Sequence, residues 1–141
     1  MTAEIQRQID SYLAWLRKSI TVQKAKDGWL EITTPFLDRH NDHIQIYVLK
    51  NNDHFMLSDD GYTISDLEMS GCFLSTPKRK DMLSTILNGF GIEEREERLE
   101  INSSEREFPK RLHNIIQAIL SVNDLFSTAK STVRNLFYED V

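Results

Sequence analysis

HIQIYVLK (43–50), NND (51–53) and HFMLS (54–58) are the stretches whose reading decides the fold. Ile44, Ile46 and Val48 alternate with Gln45, Tyr47 and Leu49, the two-residue period of a strand with both faces partly covered. Asn51, Asn52 and Asp53 tolerate left-handed backbone and supply a turn, and His54 to Ser58 returns. A hairpin follows. If Asn52 and Asp53 form its two-residue turn, Lys50 lies opposite Phe55 and Gln45 opposite Asp60.

Upstream, Trp29, Leu30, Ile32, Thr33 and Thr34 favour a short strand that Pro35 interrupts. Before it, Thr2 is a candidate N-cap, and Ile5, Ile9, Tyr12, Leu13, Leu16 and Ile20 recur at helical spacing. Downstream, Thr63 and Asp66 have the spacing of a capping box for a short helix ending at Gly71. Thr76 and Pro77 begin a second helix with a buried stripe of Met82, Leu83, Ile86, Leu87 and Phe90, ending at Gly91. Leu99, Glu100 and Ile101 make a candidate edge strand in an acid-rich stretch. From Pro109, Leu112, Ile115, Ile116, Ile119, Val122 and Phe126 mark a long helix, and Val133, Leu136 and Phe137 repeat the pattern. Trp15 and Trp29 are expected to complete core edges. This order predicts an α+β fold: a small antiparallel sheet of three to four strands packed by an N-terminal helix and several C-terminal helices.

The 141 residues, 40% hydrophobic and 28% charged, suit one domain with a core of its own. The lone Cys72 cannot form an internal disulfide and reads as a small buried apolar residue. A polar, acid-bearing N-terminus and the lack of a long apolar run point to a cytoplasmic protein that does not enter the membrane. The net charge of −5 disfavours wholesale capture of nucleic acid and mildly favours a protein partner. Lys78, Arg79, Lys80, Lys110 and Arg111 are the residues through which a DNA-contacting regulator would act.

The hairpin register brings two charged turns to one end of the sheet. Asp38, His40, Asp42 and His43 come from the first, Asp59, Asp60 and Tyr62 from the second, and together they form a candidate recognition surface. Asp38, His40 and Asp42 fall on one face of an extended segment. Asp42, Asp59, Asp60 and His40 are a candidate donor set for Mg²⁺, Mn²⁺ or Zn²⁺, although no regular ligand motif is present. Aspartates at turns also cap backbone N–H groups without any ligand. Val133, Leu136 and Phe137 offer a second apolar contact stripe, unless they dock on the domain's own core.

No catalytic residue is assigned. Gly-rich phosphate loops, GxSxG elbows and CxxC pairs are all missing. The element order resembles the core of restriction-endonuclease-like nucleases, whose acids sit on adjacent hairpin strands. The lysine expected after the acids is replaced by Gly61 and Tyr62. TPFLDRHNDHIQIYV, LSDDGYTISDLEMSG and KRKDMLSTILNGFGI together resemble an uncharacterised bacterial and phage family, the domain of unknown function numbered eighteen twenty-eight. The resemblance covers most of the chain. Without internal repeats or an interior linker, a single domain over 1–141 is expected, with 131–141 either ending a short stand-alone form or, as in relatives that carry a second domain, starting a connection to one. The resemblance implies no catalytic residue.

The leading expectation is therefore a non-catalytic binding or regulatory module, connected with phage or mobile-element biology, that recognises a protein partner without a cofactor. The alternative is a metal-dependent nuclease or other phosphodiester enzyme, with Asp42, Asp59 and Asp60 on the metal and His40 or His43 moving protons.

Overall fold

The computed structural model describes residues 1–129. Residues 131–141, with Val133, Leu136 and Phe137, lie outside the described residues. Helix α1 (Thr2–Ser19) leads into β1 (Thr21–Lys24), and a tight turn at Lys26–Gly28 reverses the chain into β2 (Leu30–Leu37). Strands β3 (His43–Asn51) and β4 (His54–Ser58) follow, then α2 (Tyr62–Met69) and α3 (Pro77–Phe90). A second hairpin, β5 (Glu93–Arg95) and β6 (Arg98–Ser104), precedes α4 (Phe108–Asn123). The sheet is antiparallel throughout, in the order β1-β2-β3-β4-β6-β5. No helix among the described residues is long and apolar enough to cross a membrane.

The β3–β4 hairpin has the register its sequence predicts. Asn51 pairs with His54 and Lys50 with Phe55 across an Asn52-Asp53 turn, in which Asn52 takes φ 56°. Alternation then sorts the side chains. Ile32, Ile44, Ile46, Val48, Leu57 and Ile101 are buried with α4's Ile115, Ile116, Ile119 and Val122. Each such aliphatic side chain contributes about 2 kcal/mol of burial free energy. Glu31, Thr33, Gln45 and Tyr47 occupy the alternate positions, linked by hydrogen bonds: Gln45 Nε2 donates to Glu31 Oε1 at 2.9 Å and to Thr33 Oγ1 at 3.3 Å.

The sheet has six strands rather than three or four. TVQK of β1 and EER of β5 are exposed at every residue and carry no apolar alternation, so neither leaves a periodic mark in the sequence. The Leu99-Glu100-Ile101 unit is not an edge strand. It is the middle of the seven-residue β6, flanked by β4 and β5, with Leu99, Ile101 and Ser103 all buried. Pro35 does not end β2 but sits in an irregularity between Thr33 and Leu37. There the Thr34 hydroxyl donates to the Ile44 carbonyl at 2.8 Å and accepts from the Phe36 N–H at 3.3 Å, bridging the break that proline makes in the ladder.

The helix ends also depart from expectation at two places. Thr2 lies inside α1, whose cap residue is Met1 without a side-chain bond. Thr63 does not cap α2; it is buried within the helix, and Asp59 takes that duty. Thr76 does cap α3, accepting from the Arg79 N–H at 3.3 Å, and Gly91 ends that helix in a left-handed conformation. Helix α1 buries none of its residues, and Trp15, expected at a core edge, is exposed and stacked on Tyr12 with ring centroids 6.2 Å apart. Cys72 is fully buried, as an apolar residue would be.

Candidate functional site

Three segments meet at the end of the sheet where β2 turns into β3 and β4 turns into α2. The first turn is built on Asp38, which is 8% exposed. Its Oδ1 accepts from the N–H groups of His40 at 2.8 Å and Asp42 at 3.1 Å, while its own N–H donates to the Asp42 carbonyl at 2.9 Å. A short side chain that satisfies backbone donors within its own loop fixes that loop without outside help. Asn41 takes the left-handed φ of 61° that closes it.

The second turn is built on Asp59, only 2% exposed. Oδ1 accepts from Gly61 N–H and from Leu99 N–H of β6, each at 2.9 Å, and Oδ2 accepts from Thr63 N–H at 3.0 Å. One carboxylate thus starts α2 and fastens β6 to the turn. Asp60 at φ 57° and Gly61 at φ 79° reverse the chain in two left-handed steps. At Gly61 any other side chain would be strained by that φ and would bring its Cβ to 3.4 Å from Arg98 Cγ.

The two turns are joined by Arg39 and Asp66. Arg39 Nη2 donates to Asp66 Oδ2 at 2.7 Å, to the Asp66 carbonyl at 3.1 Å and to Ser70 Oγ at 2.6 Å. Its guanidinium carbon lies 4.3 Å from the centre of the Phe126 ring, and its backbone N–H donates to Asn123 Oδ1 of α4 at 2.9 Å. His40 Nε2 is 2.9 Å from Asp66 Oδ1, so this imidazole belongs to the same brace.

Between the braced turns lies a cleft of about 660 Å³. Asp38, Asp42, His43, Asp59, Asp60 and Tyr62 all line it, so most of the surface expected from sequence is brought together. His40 is not among the lining residues. Added to them are Thr33, Gln45 and Tyr47 from the polar sheet face, with Ile44 and Ile119 as apolar lining and Asn123 beside them. The carboxylates of Asp42 and Asp60 are exposed and form no ion pair with the described residues. His43 Nδ1 lies 2.7 Å from the Thr34 carbonyl; a carbonyl only accepts, so Nδ1 carries the hydrogen and Nε2 is left for a ligand. Burial raises the pKa of Tyr62, reinforced by Asp66, Asp38 and Asp42 and opposed by Arg39. Burial, then Glu31, raises that of Tyr47, with Asp60 adding to it.

The four residues considered for a metal do not form a common donor set. Both Asp59 oxygens already accept backbone donors, and His40 faces Asp66. Among the described residues no three His, Cys, Asp or Glu side chains are arranged to hold one ion. Arg39 and Asp66 were not legible as a pair, because each lies in a different segment and no local motif links them. Tyr47 and Gln45 were legible in principle: they follow His43 at two-residue steps on one face of β3.

An α+β domain with an acid-lined cleft at the end of an antiparallel sheet is the class these observations define. The chain matches the family model described as Domain of unknown function DUF1828 over residues 34–122 and belongs to that family. The matched span runs from within β2 to the last turn of α4 and contains the cleft lining apart from Thr33 and Asn123. No curated protein and no solved structure matches the chain.

Proposed function

We propose that this domain is a non-catalytic recognition module whose cleft receives a lysine or arginine side chain from a protein partner. The observation that carries this reading is the pairing state of the charges. Asp42 and Asp60 present exposed carboxylates without a counterion among the described residues, while Arg39 of the first turn is committed to Asp66 and Arg98, beside Gly61, to Glu96 and Glu100. A long basic side chain has two chemistries, an aliphatic stem and a charged head. The two carboxylates offer the head its counter-charge, and Tyr62 and Tyr47 offer ring faces along which the stem can lie and which attract cations. His43 Nε2 and Gln45 supply adjustable hydrogen bonding for the partner's backbone.

The phosphodiesterase reading has less support, because its metal donors point to separate tasks. Asp59 supports backbone and His40 supports the brace, which leaves Asp42 and Asp60 without a third His, Cys, Asp or Glu ligand among the described residues. A role in phage or mobile-element biology is a further part of the proposal that rests on the family resemblance, and a cytoplasmic site of action is one that rests on the polar N-terminus and the lone Cys72.

Isothermal titration of the purified chain with lysine- and arginine-containing peptides, against acidic peptides of equal length, tests the reading. Basic peptides should bind and weaken with added salt. The D42N/D60N variant, with unchanged circular dichroism, should bind at least about tenfold more weakly. Equal binding of acidic peptides, or binding indifferent to D42N/D60N, would overturn the assignment.

A further inference from the structure

The cleft has an inner wall as well as a rim. Asp42 and Asp60 are exposed at the rim, whereas Asp38, Thr63 and Asn123 line the same cleft with 8%, 2% and 6% of their surface exposed. Each of these buried side chains keeps one polar atom unspent. Asp38 Oδ1 accepts from the N–H groups of His40 and Asp42, but Oδ2 has no hydrogen-bond partner among the described residues. The Thr63 hydroxyl has none either, although its backbone N–H is held by Asp59. Asn123 gives Oδ1 to the Arg39 N–H and leaves Nδ2 unpaired. Among the described residues Arg39 Nε is the one sealed side-chain atom without a partner, so these three atoms open into the cleft. Buried polar groups in native proteins are almost always satisfied, and here the partner has to enter from the cleft.

We infer that the side chain received is lysine, not arginine, with its ammonium on Asp38 Oδ2 and Thr63 Oγ1. This rests on the reading of the cleft as a seat for a basic side chain, and adds the choice between the two. Arginine gains its advantage where its planar fork pairs both oxygens of a carboxylate. Asp38 cannot be paired in that way, because the two turn N–H groups occupy Oδ1. A guanidinium brings five N–H donors to an inner wall with two free acceptor atoms, and Asn123 Nδ2 beside them only donates. Donors would be left unmet where water is shut out. An ammonium carries three, so two fall to the inner wall and the third turns to the rim carboxylates or to water. Those rim carboxylates pair with either cation, but exposed ion pairs contribute little. Selectivity therefore lies with the buried atoms.

The test is a nuclear magnetic resonance titration of the full chain with two blocked pentapeptides, Gly-Gly-Lys-Gly-Gly and Gly-Gly-Arg-Gly-Gly, followed at the amide signals of Thr63 and Asn123. The lysine peptide should bind about tenfold or more tightly than its arginine twin. Asp38→Asn keeps an oxygen for the two turn N–H groups and puts an NH2 group where Oδ2 stands. The turn is thereby retained, and lysine binding should fall by about tenfold or more. Thr63→Val removes the hydroxyl at nearly constant shape and should narrow the preference for lysine. Equal or tighter binding of the arginine peptide by the native chain would overturn the inference, with no variant needed. So would lysine binding indifferent to D38N in a protein of unchanged circular dichroism. In either case, weakened binding in D42N/D60N would leave the cleft reading standing, whereas binding of neither peptide at tens of millimolar would overturn both.

Discussion

Arg39 and Asp66 are 27 residues apart in sequence and 2.7 Å apart in space, and this ion pair fixes the β2–β3 turn against α2. Their side chains are only 16% and 14% exposed, so the pair is poorly screened and each partner depends on the other. Asp66→Ala leaves a mostly buried guanidinium without its carboxylate and should destabilise the fold by about 3 kcal/mol, the low end for a breached buried pair. Arg39→Ala should cost a similar amount. The double variant should cost less than the two single losses added together, which urea unfolding of all four proteins would reveal.

Asp59 is expected to be a fold-determining aspartate whose removal is felt in two elements at once. In Asp59→Ala the N–H groups of Gly61, Thr63 and Leu99 lose their acceptor together. Leaving buried donors unpaired costs about 1 to 3 kcal/mol each, so a total of roughly 3 kcal/mol is a conservative expectation. Hydrogen exchange should show Leu99 in β6 and Thr63 in α2 losing protection in step. Loss of protection at α2 alone would contradict the shared anchor.

Much of this anchoring was hidden in the sequence for a physical reason. Alternation along 43–58 is a local signal, and it predicts both the hairpin and its register, hence the meeting of the two acid turns. The tasks of individual acids are not local. Asp59 and Asp60 are neighbours of one residue type, yet one is spent on backbone donors as far away as Leu99 and the other faces solvent. The Thr63–Asp66 spacing suggested a cap, but Asp66 instead meets Arg39 and His40. Strands β1 and β5 escaped for a simpler reason: a strand exposed along its whole length has no buried side to mark its period.

Glu68 on α2 should weaken the fold at neutral pH. Burial, together with Glu97 and Glu94, raises its pKa above the ordinary carboxylate value. The folded state therefore favours the protonated form, and stability falls as pH rises through that raised pKa. Glu68→Gln should raise the melting temperature at about pH 7 and change it little near pH 3, where the native carboxyl is already neutral. A gain of the same size at both pH values would show that charge is not the cause.

The turn between β5 and β6 is another site for stabilisation. Glu96 and Glu97 hold φ values of 51° and 66°, a conformation unfavourable for side chains that cannot bond locally to their own backbone. Replacing the pair by Asn-Gly suits the turn geometry and should add about 1 kcal/mol. The exposed contact of Glu96 with Arg98 at 3.6 Å would be lost at little cost. Thermal melts of the wild type and E96N/E97G decide the matter.

Strands β1 and β5 close the two sides of the sheet with four and three residues, every one exposed, and with Lys24, Glu93, Glu94 and Arg95 among them. Strand-by-strand growth into fibrils needs a long, flat, apolar template, and brevity and charge deny it on both flanks. Among the described residues the molecule thus leaves a polar sheet face and the apolar stripe of α1 open without also offering a strand edge on which another chain could grow.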